Sequence, residues 1–420
     1  MIDFLRRVRR KGRYLKMLMR MYLEAMSHEN VIVHIGHFSN DNCAHGNVGD
    51  PVLFAELEHL VDKLSGKNHY WLRRYITCHE VCRIEVWIYN HFTSGILIGG
   101  HGLLMIDTGK NPNSGWQFNI NVGNLKRIRV PMAIMAIGYN TFRGQPDFIK
   151  VFREHINLCI SKCRVFGLRN YGSINALMPY VEEAKKPNVK FQPCPTTMLS
   201  LYEDLPHVEK TNEIGVCLAF DRYENRFGGH FDRAFNDLMA FSHEYEAKGY
   251  KVIFYAHTQV DLLHPNCEKF KDNGYIVQTI CDLPFKDVFA WYLGKKLIIG
   301  MRGHSLMIPW GLRTPVVSLT TQNKQKWFIE TTGHGERSIE VADPDMLNKL
   351  RRQVEYILSN YDEVVEEIAK TQKEFYEISA QNVKKLMGGG KCPIFNWLRI
   401  ISARKAAYAF LRNEEMEVAA

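Results

Sequence analysis

Residues 297–326 read LIIGMRGHSLMIPWGLRTPVVSLTTQNKQK, and the fold follows from how this stretch is punctuated. An apolar run (297–300) ends in a polar turn. A helical segment starts near Ser305, and a second apolar run follows at 315–319. Strands apolar at every position must be covered on both faces, and joining two of them through a helix makes them parallel. The same unit recurs upstream, in two series. Towards the C-terminal half it appears as 214–219 (IGVCLA), a helix at 231–248, 251–256 (KVIFYA) and 275–280 (YIVQTI). Towards the N-terminal half it appears as 31–36 (VIVHIG), 84–89 (IEVWIY), 96–99 (ILIG), 130–137 (VPMAIMAI) and 164–168 (RVFGL), with helices at 51–64 and 146–161. The polar stretch 203–213 separates the series. Two parallel α/β lobes are therefore expected, at 29–205 and 214–345, with a ligand cleft at the carboxyl ends of their strands.

Helical segments flank both lobes. Residues 1–28 place Leu5, Val8, Gly12, Leu15, Met19, Tyr22 and Met26 at three- to four-residue spacing, which predicts an amphipathic helix. Residues 345–386 predict a charged helical segment, stopped by Gly388-Gly389-Gly390, and a last helix occupies about 393–412, so that 346–412 form the C-terminal helices. The net charge of +9 sits at these ends: 1–28 carry eight basic side chains against two acidic ones, 384–412 seven against none, and the remainder is slightly negative. Basic residues are not spread along a groove, which argues against nucleic acid as a partner. An anionic membrane surface, met by 1–28 and 393–412, is the partner this distribution suits; solvated helices, one packed on the body, are the alternative. Of ten cysteines none forms a CxxC pair. Cys78/Cys82 and Cys159/Cys163 read as buried thiols of a reduced cytoplasmic protein, peripheral on the inner membrane face, rather than as metal ligands. No metal is expected, and activity should survive a chelator. Lys16 and Arg20 interrupt the only N-terminal apolar run, and no stretch reaches the ~18 apolar residues of a spanning helix.

Three turns carry the chemistry. Arg302 and His304 stand two apart before a helix start, joining a guanidinium, an imidazole and free backbone N–H groups, a set suited to phosphate or carboxylate. His304 is the group able to exchange protons near neutrality, and Ser305 reads as a helix cap. Asn47, Gly49 and Asp50 lie between a strand and a helix, where glycine permits close backbone approach and Asp50 could cap the helix. Gly100 and His101, in Gly99-Gly100-His101-Gly102, follow another strand, so His101 should face the cleft; the spacing matches neither GxGxxG nor a P-loop.

Taken in order, these segments resemble the polysaccharide pyruvyl transferase family over about 31–330. Asn47-Val48-Gly49-Asp50 stands at its N-x-GD loop and Gly99-Gly100-His101 at its glycine turn. Gly138 ends a strand, Arg169-Asn170-Tyr171-Gly172-Ser173 occupies its RD-x-x-S segment, and Pro193-Cys194-Pro195 its P-D-P. Arg302-Gly303-His304, then Gly311, Pro315 and Lys324, close the series, and His257 and Asp261 fall at a polar pair after a C-terminal-lobe strand. Asn170, Cys194 and His101 depart from the pattern, and Ala219 stands where members often carry Arg, with Arg222 and Arg226 close behind. The resemblance implies two Rossmann-like lobes in series (GT-B-like), with a sugar or lipid-linked oligosaccharide on the N-terminal lobe and phosphoenolpyruvate, a co-substrate rather than a cofactor, on the C-terminal one. It implies transfer of pyruvate, commonly as a ketal, with His304 moving the proton, Arg302, Ser305, Lys324 and Arg222 holding the donor, and Asn47, Gly49, Asp50, Gly100 and His101 on the acceptor side. Two other functions share the pattern: a nucleotide-sugar glycosyltransferase and a non-catalytic sugar-binding protein.

Overall fold

In the first sheet β1 (Val31–Gly36), β2 (Tyr70–Tyr75), β3 (Gly95–Gly99), β4 (Met132–Ile137), β5 (Cys163–Leu168) and β6 (Val189–Phe191) lie in the order β2-β1-β3-β4-β5-β6. In the second, β7 (Glu213–Leu218), β8 (Lys251–Ala256), β9 (Gln278–Thr279), β10 (Leu297–Gly300), β11 (Val316–Thr320) and β12 (Ser338–Glu340) lie in the order β12-β11-β10-β7-β8-β9. This is a computed structural model, and it describes residues 2–38, 46–77, 79–106, 111–142 and 144–388. Every pairing is parallel. Strands β1, β3, β4, β10 and β11 are buried at every residue, as continuous apolar runs require. The result is two Rossmann-like lobes in series, the GT-B-like arrangement. Strand order reverses between β1 and β3 in the first lobe and between β7 and β10 in the second. A crevice opens at such switch points, beyond the strands' carboxyl ends.

The lobes are tied by the chain's last described helix. Helix Tyr361–Met387 leaves the second lobe and brings Val383 and Leu386 onto Ile32, Leu57, Leu97 and Val165 of the first. On the way Gln372 donates its amide to the carbonyls of Trp310 (2.8 Å) and Gly311 (3.0 Å). Arg164 of β5 donates to the Leu386 carbonyl at 2.9 Å. Residues 389–412, with the helix expected at 393–412, lie outside the described residues.

Several expectations need correction. Residues 84–89 are not a strand but part of helix Arg83–Phe92. A short apolar run does not discriminate the two states; here Glu85 and Tyr89 face inward together, and Glu85 receives Arg74 Nε at 2.6 Å and the hydroxyls of Tyr14 and Tyr89. The run 275–280 contributes only the two residues of β9, and 345–386 is broken at Asn360 into helices Met346–Ser359 and Tyr361–Met387. Strands β2, β6 and β12, too polar or too short to register as apolar runs, were not expected. Helix Ile2–Ser27 exists, but its packed edge is Leu18, Met21 and Ala25, whereas Leu15 and Met19 are 63% and 54% exposed. Among the described residues no helix is long and apolar enough to cross a membrane.

Candidate active site between the lobes

The two switch points face each other across a cavity of about 330 Å³. Strand ends of both lobes deliver polar side chains to it. His37 follows β1, His101 follows β3, Arg169 follows β5, Asp221 and Arg222 follow β7, His257 follows β8, Arg302 and His304 follow β10, and Lys324 follows β11. Asn47 and Asp50 also line it from the first lobe, as do Gln117 and Asn140.

The loop holding Asn47 is anchored to the opposite lobe. Asn47 forms an antiparallel bridge with Thr258, Val48 N–H donates to the His257 carbonyl (3.2 Å), and Gln259 N–H donates to the Gly46 carbonyl (3.2 Å). Asn47 also accepts the Gly49 N–H at 3.1 Å and donates to Asp50 Oδ2 at 2.5 Å. Asp50 is not the helix cap: helix Gly49–Ser65 begins one residue earlier, and Asp50 sits in its first turn. Burial opposes its charge, but His101, His37, His304 and Lys324 hold its carboxyl down to about 2. The Asn47 amide adds its hydrogen bond to that carboxylate.

Gly49 has a steric task. A Cβ there would lie 2.1 Å from His304 Nδ1. The imidazole of one lobe is thus seated against the backbone of the other. Gly49→Ala must displace His304, and misplacing a reacting group by about 1 Å costs on the order of 100-fold. Turnover at that reduced level, with an unchanged far-ultraviolet spectrum, is the expected result.

Beneath this pair lies an arginine–carboxylate network. Arg302 donates through Nε and Nη2 to Asp261 (2.6 and 2.8 Å) and through Nη2 to Asp221 Oδ1 (2.5 Å). Arg226 donates to the same Asp221 oxygen at 2.6 Å and to Thr321 at 2.7 Å. Burial opposes the charge on Asp221, and the two guanidiniums outweigh it, so its carboxyl is held well below the usual range. Asp261 also accepts the Phe220 N–H at 2.7 Å. Arg302 therefore spends Nε and Nη2 on protein carboxylates, and its Nη1 donates to neither of them. Ser305 does not line the cavity; its hydroxyl donates to the Arg302 carbonyl at 2.9 Å and fixes the turn. Arg222, at φ 54°, places its guanidinium 4.5 Å from the Phe142 ring of the first lobe.

Two other cations have no such carboxylate. Arg169 is buried, its Nε makes no hydrogen bond, and the thiol beside it, Cys194, is kept neutral by burial. Gly138 makes room for it, since a Cβ there would meet Arg169 Nε at 2.6 Å. Lys324 forms no ion pair among the described residues, and burial with Arg226 and Arg169 nearby pushes its ammonium down to about 7. Burial and Arg169 likewise hold His304 well below its ordinary value, with Nε2 lacking a partner. A buried charge held in no close ion pair is unfavourable; an anion in this cavity would relieve it.

His101 stands at φ 72°, a conformation uncommon outside glycine, immediately after Gly100 at φ 71°. The turn aims Nε2 at the Asp50 carbonyl, 2.8 Å away. A carbonyl can only accept, so Nε2 carries the hydrogen and Nδ1, which has no partner, presents a bare lone pair. Burial pushes His101 down to about 4 and His257 to about 3, keeping both neutral.

A model of the polysaccharide pyruvyl transferase family matches residues 18–323, well over half of the chain. The chain belongs to that family. No curated sequence relative matches it. Among solved structures, the Neisseria meningitidis UDP-GlcNAc 2-epimerase bound to UDP-GlcNAc matches at a TM-score of 0.48 and 10% identity, over 86% of this chain and 100% of that one. The Methanocaldococcus jannaschii UDP-GlcNAc 2-epimerase in complex with UDP-GlcNAc and UDP matches at 0.42 and 11%, over 78% and 92%.

Within this pyruvyl transferase family member, the cavity gathers Asn47, Asp50, His101, Arg222, Arg302, His304 and Lys324 from the residues singled out in the sequence. Gly49 and Gly100 shape it, and Ser305 stands behind it. Sequence reasoning passed over Arg169, Asp221 and His37 as site residues. Asp221 carried a usable signal, since it lies three residues beyond a strand at a switch point. Arg169 did too, at the end of β5.

Proposed function

We propose that this protein transfers pyruvate from phosphoenolpyruvate to a sugar of a polysaccharide or its lipid-linked precursor, as a ketal. The observation that carries this reading is a pair of buried cations that form no ion pair among the described residues, Arg169 and Lys324, beside a neutral imidazole, His304. The donor's phosphate and carboxylate supply the missing anions, and charge-assisted hydrogen bonds form in a site where water is sparse. Arg302 adds its Nη1 edge while Asp221 and Asp261 hold the guanidinium in place; Arg222 flanks the entrance. Once the donor's negative charge arrives, the field at His304 reverses and the imidazole takes up a proton. It delivers that proton to the donor's methylene carbon, which becomes a methyl group. A sugar hydroxyl attacks the adjacent cationic carbon and inorganic phosphate leaves with the bridging oxygen; a second hydroxyl then closes the ketal. His101 Nδ1 and the Asp50 carboxylate are placed to accept the protons that these hydroxyls release.

Proton linkage tests the donor. The free Lys324 value of about 7 rises when an anion binds beside it, so binding takes up protons. Affinity is then greatest below that value and falls as pH rises through it, by up to about tenfold per pH unit. Calorimetric titration with phosphoenolpyruvate between pH 7 and 9 should show this decline in the wild type. It should be flattened in Lys324→Arg, whose charge persists. A pH-independent affinity in the wild type would remove Lys324 from the donor site, and no binding at all would remove the donor.

A lipid-linked acceptor explains the basic first helix. Exposed Leu15 and Met19 lie on a helix rich in Arg and Lys, the composition that binds anionic headgroups. Full-length protein is expected to co-sediment with phosphatidylglycerol vesicles, and the double change Leu15→Ser/Met19→Ser to weaken this at least several-fold; equal sedimentation would place the contact elsewhere.

A further inference from the structure

We propose that Glu56, His59 and Glu203 bind one divalent transition-metal ion, zinc in the first instance, which fastens the first lobe to the start of the segment joining the lobes. Glu56 and His59 are three residues apart on helix Gly49–Ser65, so they share one face of it. Glu203 directly follows the short helix Leu199–Tyr202, at the head of the polar stretch leading to β7. One ligand atom from each of the three lies within 4.8 Å of the others. His59 Nδ1 is in contact with a Glu203 carboxylate oxygen.

The independent sign of a ligand is Glu56. It is 5% exposed, and its Oε2 is buried without a hydrogen bond. No Lys or Arg forms an ion pair with it among the described residues; what faces it is a second carboxylate, Glu203, with the Tyr202 hydroxyl alongside. Two carboxylates brought together out of water need a cation or a shared proton. The half-exposed imidazole of His59 supplies at most one positive charge to the pair. A divalent ion supplies two, and one imidazole nitrogen with two carboxylate oxygens is a ligand set of the zinc type. The exposed side at His59 leaves a position for water.

The site lies away from the reaction. Glu56 is six residues along the helix from Asp50, or ~9 Å at 1.5 Å per residue. The ion would therefore brace the helix whose first turn carries Gly49 and Asp50, and the proposal stands whatever the donor proves to be. It also explains why no ligand cluster is apparent in the sequence: the metal would draw on no cysteine, and its third ligand comes from a distant segment.

The test uses the full chain, stripped by chelator dialysis and titrated with zinc chloride alone, followed by calorimetry and thermal melting. One equivalent should bind and raise Tm. Glu56→Gln and His59→Ala should each weaken zinc binding at least tenfold and abolish the rise in Tm, while metal-free melting and circular dichroism show that both variants fold. If wild type and variants bind zinc equally, the ion sits elsewhere and the proposal falls. It falls equally if the wild type binds none, in which case Glu56 and Glu203 share a proton.

Discussion

His304→Ala is expected to reduce turnover by about 10²–10⁴-fold, the range that a positioned general acid contributes, with donor affinity nearly unchanged. The two effects separate because of where the side chain sits. Its Nε2 has no protein partner and its Nδ1 edge is seated on Gly49, so the imidazole holds nothing else in place. In the proposed reading, donor binding rests instead on Arg169, Lys324 and Arg302. Single-turnover rates measured beside donor dissociation constants resolve the two quantities. Loss of donor binding without loss of the chemical step would make His304 a binding residue. A variant with full turnover would end its role as proton donor.

Arg169→Met should move two observables in opposite directions. Donor affinity is expected to fall about 10- to 150-fold, the ~1.5–3 kcal/mol carried by a hydrogen bond to a charged group. Stability without donor is expected to hold or rise, because the change removes a buried guanidinium that forms no ion pair among the described residues while methionine retains most of its bulk. Urea unfolding of both proteins in the absence of donor supplies the second quantity. A destabilisation of several kcal/mol would mean that Arg169 is paired within the protein and is not reserved for a ligand.

The strand series was legible because buried parallel strands are apolar at every position, and the residues after them at 36, 99, 218 and 300 mark the site. The helix at 83–92 was not legible: Ile84, Val86, Trp87, Ile88 and Tyr89 suit a strand, and what makes it a helix is the buried Arg74–Glu85 pair from a strand too polar to be read. The polar turns Asn47–Asp50 and Arg302–His304 could each be found alone, yet that Gly49 exists to seat His304 is visible only when the lobes meet. The environment of Arg169 depends on β4, β5 and the segment at Cys194 together. There, a neutral thiol stands where the family motif carries an acid. Asn170, by contrast, keeps a capping task, accepting the Ser173 N–H at 2.7 Å. The segment 203–213 reads as a linker; that its first residue closes on Glu56 and His59 is a property of three dimensions.

The most direct test of the central claim is phosphate release from phosphoenolpyruvate in the presence of galactose-, mannose- and N-acetylglucosamine-type acceptors, comparing wild type with His304→Ala. Release that requires an acceptor, and that collapses in the variant, is the expected result. No release with any acceptor, together with binding of a nucleotide sugar in the same cavity, would contradict it and place glycosyl transfer in its stead.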